Sequence, residues 1–161
     1  MFNLQKETYL VILFLLSFTV LLTAYTIQYL LGFQPCNLCI IERLPYVLTI
    51  AIIILNYKFK QNQLFFSVLL FLVFIFSVLI SLYHLGIEQG LIDESNICRS
   101  NNVGLIMKEE ILKSLKVIRI SCKDVTFKIF GLSLTTYNIF ASILMLLIST
   151  KIYLINNGIK K

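Results

Sequence analysis

Charge is scarce in this chain: of its 161 residues only 14% are Asp, Glu, Lys or Arg, whereas soluble domains carry about 25%. With 58% hydrophobic residues, that shortage excludes an ordinary soluble domain. Histidine is rarer still, with His84 alone, so a zinc site built from closely spaced Cys and His lacks ligands in the sequence. Tryptophan is absent, and the eight Tyr residues are left to fill the interfacial aromatic role. No internal repeat, low-complexity segment or alternation of strand and helix patterns is visible, which excludes solenoids and a thioredoxin fold. The net charge of +6 comes from basic residues scattered beside apolar segments. That is the usual flanking of membrane spans rather than a nucleic-acid patch, and no nucleic-acid partner is expected.

What the chain has instead is long apolar runs. About 20 apolar residues cross a bilayer, and four segments qualify, at 9–31, 39–57, 64–87 and 132–155. The N-terminal segment before residue 9 is short and near neutral, and no small-residue cleavage site follows. The first run is therefore expected to be a retained span rather than a secretory signal. The second run holds only 12 uncharged residues, Leu44–Leu55. It must borrow residues back to Cys39, which draws Glu42 and Arg43 into its first turns at the membrane surface. Pro45 then falls near a helix start, where a missing N–H costs least. The expected fold is an all-α membrane protein, one four-helix bundle with a short external loop (32–38) and a long one (88–131).

Four spans place both termini on one side and both external loops on the other. Cys36, Cys39, Cys98 and Cys122 therefore share one side of the membrane. Six Lys and Arg lie on the terminal side (Lys6, Lys58, Lys60, Lys151, Lys160, Lys161) and eight on the cysteine side. Lys58 and Lys60, however, occupy a short loop close to two spans, where basic residues fix orientation most strongly. The long loop also carries Glu88, Asp93, Glu94, Glu109, Glu110 and Asp124, leaving it near neutral. The termini are expected in the cytoplasm and the cysteines outside.

Cys36-Asn37-Leu38-Cys39 is a C-x-x-C, shared by zinc sites, redox centres and chance. Cys98 and Cys122 lie 59 and 83 residues beyond Cys39, so no metal is expected. Two structural disulfides in external loops are the bland use of four such cysteines, and three pairings are open. Cys39 falls at a helix start, where free N–H groups favour an anion. Arg43, one turn on, shares its face. Both features lower a thiol's pKa. A charged Arg at the mouth of a span is a functional candidate, set against an interfacial Arg paired with Glu42 or a lipid phosphate. The segment 107–119 reads as an amphipathic helix lying in the interface or on the bundle ends.

The run Gln34-Pro35-Cys36-Asn37-Leu38-Cys39-Ile40-Ile41-Glu42-Arg43 after a first span resembles the signature of the bacterial disulfide bond formation protein DsbB family. The resemblance continues in Tyr83-His84-Leu85-Gly86-Ile87-Glu88-Gln89-Gly90, in a separated loop cysteine pair, and in Phe130-Gly131-Leu132-Ser133-Leu134 opening the fourth span. It covers nearly the whole chain. The related vitamin K epoxide reductase family places its loop cysteines before its C-x-x-C, an order not found here.

The resemblance implies an inner-membrane thiol oxidase in which Cys98–Cys122 meets a periplasmic thioredoxin-fold, DsbA-like partner. Cys36–Cys39 would then pass the electrons to ubiquinone or menaquinone. It assigns Arg43 to stabilising the thiolate and reduced quinone and makes His84 a candidate for the quinone pocket. Tyr137 and Asn138, near the top of the fourth span, are further candidates. Two readings rival it: a non-enzymatic four-span membrane protein with two structural disulfides, and a small transporter binding soft metal at the C-x-x-C.

Overall fold

The computed structural model describes residues 2–93, 98, 122–123, 128–129 and 131–158. The expected amphipathic helix at 107–119 lies outside the described residues. Helix α1 spans Phe2–Tyr29, α2 Asn37–Ile41, α3 Leu44–Lys58, α4 Gln63–Glu88 and α5 Leu134–Asn156, with a 3₁₀ turn at Lys60–Asn62. A two-stranded antiparallel ribbon, β1 (Lys128–Ile129) and β2 (Leu132–Ser133), leads into α5.

Four segments are long and apolar enough to cross a membrane: Gln5–Tyr29, Asn37–Lys58, Gln63–Glu88 and Leu134–Asn156. The shortest has 22 residues, and at 1.5 Å per residue it spans about 33 Å, enough for a hydrocarbon core of about 30 Å. The chain is a multi-pass, predominantly helical membrane protein.

Three spans differ from the sequence expectation by two residues or more, and the first of them runs Gln5–Tyr29 rather than 9–31. The second span begins at Asn37 and is broken at Glu42–Arg43 into α2 and α3. Pro45 explains the break: its ring removes the N–H that would bond Ile41 and crowds the carbonyl there, and it sits in the first turn of α3, where the missing N–H costs least. The fourth span begins at Leu134 rather than 132. Ser133 is extended and caps α5, its hydroxyl accepting the Thr136 N–H at 3.3 Å.

The helices form a ring in which α1 packs on α3 and α5, α3 on α4, and α4 most extensively on α5. The polarity of the packing is inverted relative to a soluble bundle. Leu72, Leu79, Phe140, Leu144 and Leu147 face outward, while Ser77, Ser81, Ser142 and Ser149 are fully buried. Lipid is as apolar as Leu, so helices associate through small residues that permit close approach and through interhelical hydrogen bonds. Ser77 and Ser142 meet at 2.8 Å between α4 and α5, and Asn138 Nδ2 donates to Ser81 Oγ at 2.8 Å. The Tyr46 hydroxyl, from α3, donates to Asn138 Oδ1 and lies 3.2 Å from Ser142 Oγ. An apolar core that includes Leu10, Leu13, Leu70, Phe74 and Met145 fills the rest of the bundle.

Because Ser142 is fully buried between Tyr46 and Ser77, Ser142→Leu is expected to lower bundle stability by about 1–3 kcal/mol through overpacking. Leu144→Ile on the outward face should leave stability within about 0.5 kcal/mol. Thermal unfolding in detergent micelles separates the two outcomes, and equal melting temperatures would contradict the packing described.

Candidate active site

The chain reaches the site through Pro35 in an extended stretch, and Cys36 follows with φ −69° and ψ 167° as the cap of α2. The Cys36 sulfur accepts the Cys39 N–H at 3.3 Å, and one helical turn brings the two sulfurs to 2.9 Å. The position that caps the helix thus belongs to Cys36, while Cys39 lies in the first turn. Cys36 and Cys39 are free thiols, and Cys98 is disulfide-bonded to Cys122 with a Cα–Cα distance of 5.6 Å. Cys36, Cys98 and Cys122 are buried in one cluster with Leu38 and Ile87, and Cys39 packs against it. All four cysteines therefore meet at one end of the bundle.

His84, from the last turns of α4, is buried beside this cluster. Its Nε2 lies 3.5 Å from the Cys36 sulfur, and its Nδ1 lies 3.1 Å from Glu42 Oε1 and 3.4 Å from Thr135 Oγ1. With Nδ1–H donating to the Glu42 carboxylate, the Nε2 lone pair is free to accept the Cys36 proton. Thiol and carboxylate, from the two ends of α2, are linked through the imidazole of α4. The sequence reading set Glu42 at the membrane surface. The structure buries it inside the protein, because the break before Pro45 turns Glu42 inward.

Arg43 faces α1 from the other side of the same break. Its Nη1 donates to Gln28 Oε1 at 2.5 Å, and its guanidinium lies 5.0 Å from the Tyr25 ring centroid. Between these groups is a cavity of about 360 Å³. Cys36, Cys39, Arg43 and His84 line it together with Cys122 and Tyr46, against largely apolar walls that include Val20, Ile27 and Leu134. Tyr137 and Asn138 also border it.

Glu42, Thr135 and Gln28 were not singled out as functional from the sequence. Glu42 did carry a signal, since an acidic residue drawn into a span needs a partner. Nothing in the sequence, however, named His84, 42 positions away, as that partner.

The surroundings hold the Cys36 thiol well below its ordinary value, down to about 4. The hydrogen bond from the Cys39 thiol is the largest cause, and the contact and charge of His84 and the Cys39 N–H add to it, outweighing burial. The lowered value contributes stability to the reduced fold above the ordinary thiol pKa, and that contribution is lost as pH falls toward 4. Titrating the ultraviolet thiolate absorbance of the reduced Cys98→Ser/Cys122→Ser protein should give a first midpoint near 4. In His84→Gln the midpoint should rise, and an unmoved midpoint would remove His84 from the account.

Fold and site together define a class: a multi-pass membrane protein in which a buried C-x-x-C dithiol abuts a second disulfide at one end of the bundle. The chain belongs to the family described as disulfide bond formation protein DsbB, which it matches over residues 6–152. It is also similar to a protein of Rickettsia prowazekii (strain Madrid E) named only as uncharacterized. The two are 29% identical over 151 residues, covering 89% of this chain and 87% of the relative. No solved structure matches the chain significantly. Family membership makes this a protein of disulfide bond formation, a disulfide oxidoreductase.

Proposed function

We propose that the protein reoxidises a periplasmic, DsbA-like dithiol protein and delivers the electrons to a membrane quinone, ubiquinone or menaquinone. On this reading it lies in the bacterial inner membrane with cytoplasmic termini and periplasmic cysteines. The observation that carries the proposal is the position of Cys36, buried against the Cys98–Cys122 disulfide on one side and lining a cavity with Cys39, Arg43 and His84 on the other.

The cysteine exchanges follow from that contact. A thiolate of the reduced partner attacks Cys98, breaking the Cys98–Cys122 bond and leaving Cys122 as a thiolate. The partner's second thiolate attacks the partner sulfur of that mixed disulfide, which releases the oxidised partner and Cys98. When Cys36 and Cys39 are disulfide-bonded, Cys122 attacks Cys36 and releases Cys39 as a thiolate at the cavity. Cys98 then attacks Cys122, which restores the outer disulfide and frees Cys36. The inner pair is now the dithiol, holding two electrons and carrying its charge on Cys36.

The cavity residues fit a quinone. A volume of about 360 Å³ falls within the range of about 300–1,000 Å³ usual for ligand pockets, and apolar walls with a few converging polar groups suit a flat ring with two carbonyls. Arg43 and His84 would hold it as hydrogen-bond donors, and the bound group supplies a two-electron, two-proton acceptor. Within the protein, Cys36 enters this step already ionised and is the nucleophile that closes on Cys39 sulfur as the electron pair leaves through Cys39. His84 Nε2 holds the proton taken from Cys36, Glu42 balances the imidazolium, and the Cys39 thiol gives up the second proton as the disulfide closes, both being available at the cavity wall. The reading as a protein with two structural disulfides gives no use for an imidazole–carboxylate pair aimed at a thiol.

Purified protein, a quinone and a reduced DsbA-like protein test the reading through quinone absorbance. Loss of oxidised quinone should require both Cys39 and Cys98, with Cys39→Ser and Cys98→Ser inactive. His84→Gln should turn over about 10²-fold more slowly, the ordinary worth of a positioned acid–base group. Unchanged turnover in His84→Gln would reject the proton role. No reduction of either quinone by folded protein would return the structural-disulfide reading.

A further inference from the structure

We propose that the reduced Cys36–Cys39 pair and His84 form a three-ligand site for a thiophilic divalent cation, Zn²⁺, which holds the dithiol out of disulfide exchange. By spacing alone no metal was expected, because His84 is 45 residues beyond Cys39. Folding removes that objection. Cys36 Sγ, Cys39 Sγ and His84 Nε2 all lie within 4.8 Å of one another.

The distances are close to what zinc requires. Zn–S of about 2.3 Å and Zn–N of about 2.0–2.1 Å in a tetrahedron put sulfur and nitrogen about 3.6 Å apart and two sulfurs about 3.8 Å apart. Cys36 Sγ and His84 Nε2 are already 3.5 Å apart. The sulfurs, at 2.9 Å, must separate by somewhat less than about 1 Å. Cys36 follows an extended stretch and Cys39 is only half-buried at the cavity, so a small rotation of either side chain supplies that movement.

His84 is oriented as a ligand. Zinc-bound histidines as a rule donate their other N–H to a carboxylate or carbonyl, which fixes the ring and raises its basicity. The Glu42 carboxylate at 3.1 Å from Nδ1 provides that partner. The fourth position faces the cavity, as in catalytic Cys₂His zinc sites that keep one place for water. Two thiolates, a neutral imidazole and Zn²⁺ sum to zero, and the Glu42 carboxylate, held by the Nδ1–H, carries the one remaining charge. Binding is not a redox step: the Cys39 thiol releases one proton and His84 Nε2 releases the one it took from Cys36, the two sulfurs and that nitrogen coordinate the ion, and no electrons move. The disulfide form has no thiolates to offer, so only the reduced protein takes the metal.

Co²⁺ is the probe, because its spectrum reports the ligands. The reduced chain in detergent is titrated anaerobically, with folding checked by circular dichroism. One equivalent of Co²⁺, displaceable by Zn²⁺, is expected to develop sulfur-to-cobalt charge-transfer bands and tetrahedral d–d bands. The oxidised chain should develop neither. His84→Gln should lose the tetrahedral bands, and Glu42→Gln, which keeps all three ligands, should bind about 10–100-fold more weakly.

Folded, reduced protein that gives no cobalt–thiolate band would overturn the proposal, and so would equal binding by wild type, His84→Gln and Glu42→Gln. Quinone turnover in metal-free buffer is a separate measurement. The metal site and the oxidase reading can each fail without the other.

Discussion

A carboxylate inside an apolar helix bundle is expensive unless something meets it, and in this protein Glu42 is met by His84. Charged groups at membrane depth are kept where they pair with one another or face a cavity, and this pair does both, lying beside the cavity that Cys36 and Cys39 line. The contact ties the broken second span to the end of α4. It also sets the imidazole so that one nitrogen is spent on the carboxylate and the other faces a sulfur. Thr135 adds a third element by approaching the same nitrogen from the first turn of α5. The chemistry of Cys36 and the joining of three spans at this end of the bundle thus rest on one buried pair.

Two features elsewhere make the pair possible. Pro45 interrupts the second span one turn in, so Glu42 and Arg43, adjacent in sequence, leave the backbone toward different neighbours: His84 on α4, and Gln28 with Tyr25 on α1. An unbroken helix would carry adjacent side chains about 100° apart on one continuous surface and would lack the turn that sends them to opposite sides of the cavity. Below the site, small side chains let α4 and α5 approach closely. A polar seam continues from Glu42 through Ser81 to Asn138, Tyr46, Ser142 and Ser77. Each member finds its partner on a neighbouring helix, as polar groups in lipid must. The seam keeps α5 in register with α4, and that register brings Thr135 to His84.

Much of this was legible in the sequence because it depends on composition and on local spacing. Four apolar runs of bilayer length can be read directly, and their number places the cysteines together. The C-x-x-C spacing puts Cys36 and Cys39 on one turn whatever surrounds them. The pairing of Glu42 with His84 was not legible, because it is a contact across 42 residues between two spans, and His84 was a candidate only through the family resemblance. Sequence alone gives each of them a bland meaning, an interfacial acid and a helix-end imidazole, and only the packing of α4 against the broken span removes both. The extent of the second span was misjudged by two residues for a related reason. Cys36 replaces the usual Ser, Thr or Asp as the cap, so nothing at the helix start announced itself.

The cap also explains why the two inner cysteines are unequal. A disulfide relay needs one sulfur that receives attack and one that releases electrons, and symmetric thiols would leave that order to chance. Here the asymmetry is built from backbone and environment. Cys36 accepts hydrogen bonds from the Cys39 N–H and thiol and faces an imidazole, and it lies against the outer disulfide. Cys39 keeps a half-buried place on the cavity wall. An anion is therefore favoured at Cys36, which suits that sulfur to act as the nucleophile when the inner pair closes on Cys39. The same concentration of two thiols and an imidazole around one small space carries a hazard, because soft cations are attracted by the groups that make the dithiol reactive. On the proposed metal site only the dithiol form is open to such a cation, so the chemistry that closes Cys36 on Cys39 is also what would protect the pair from metal.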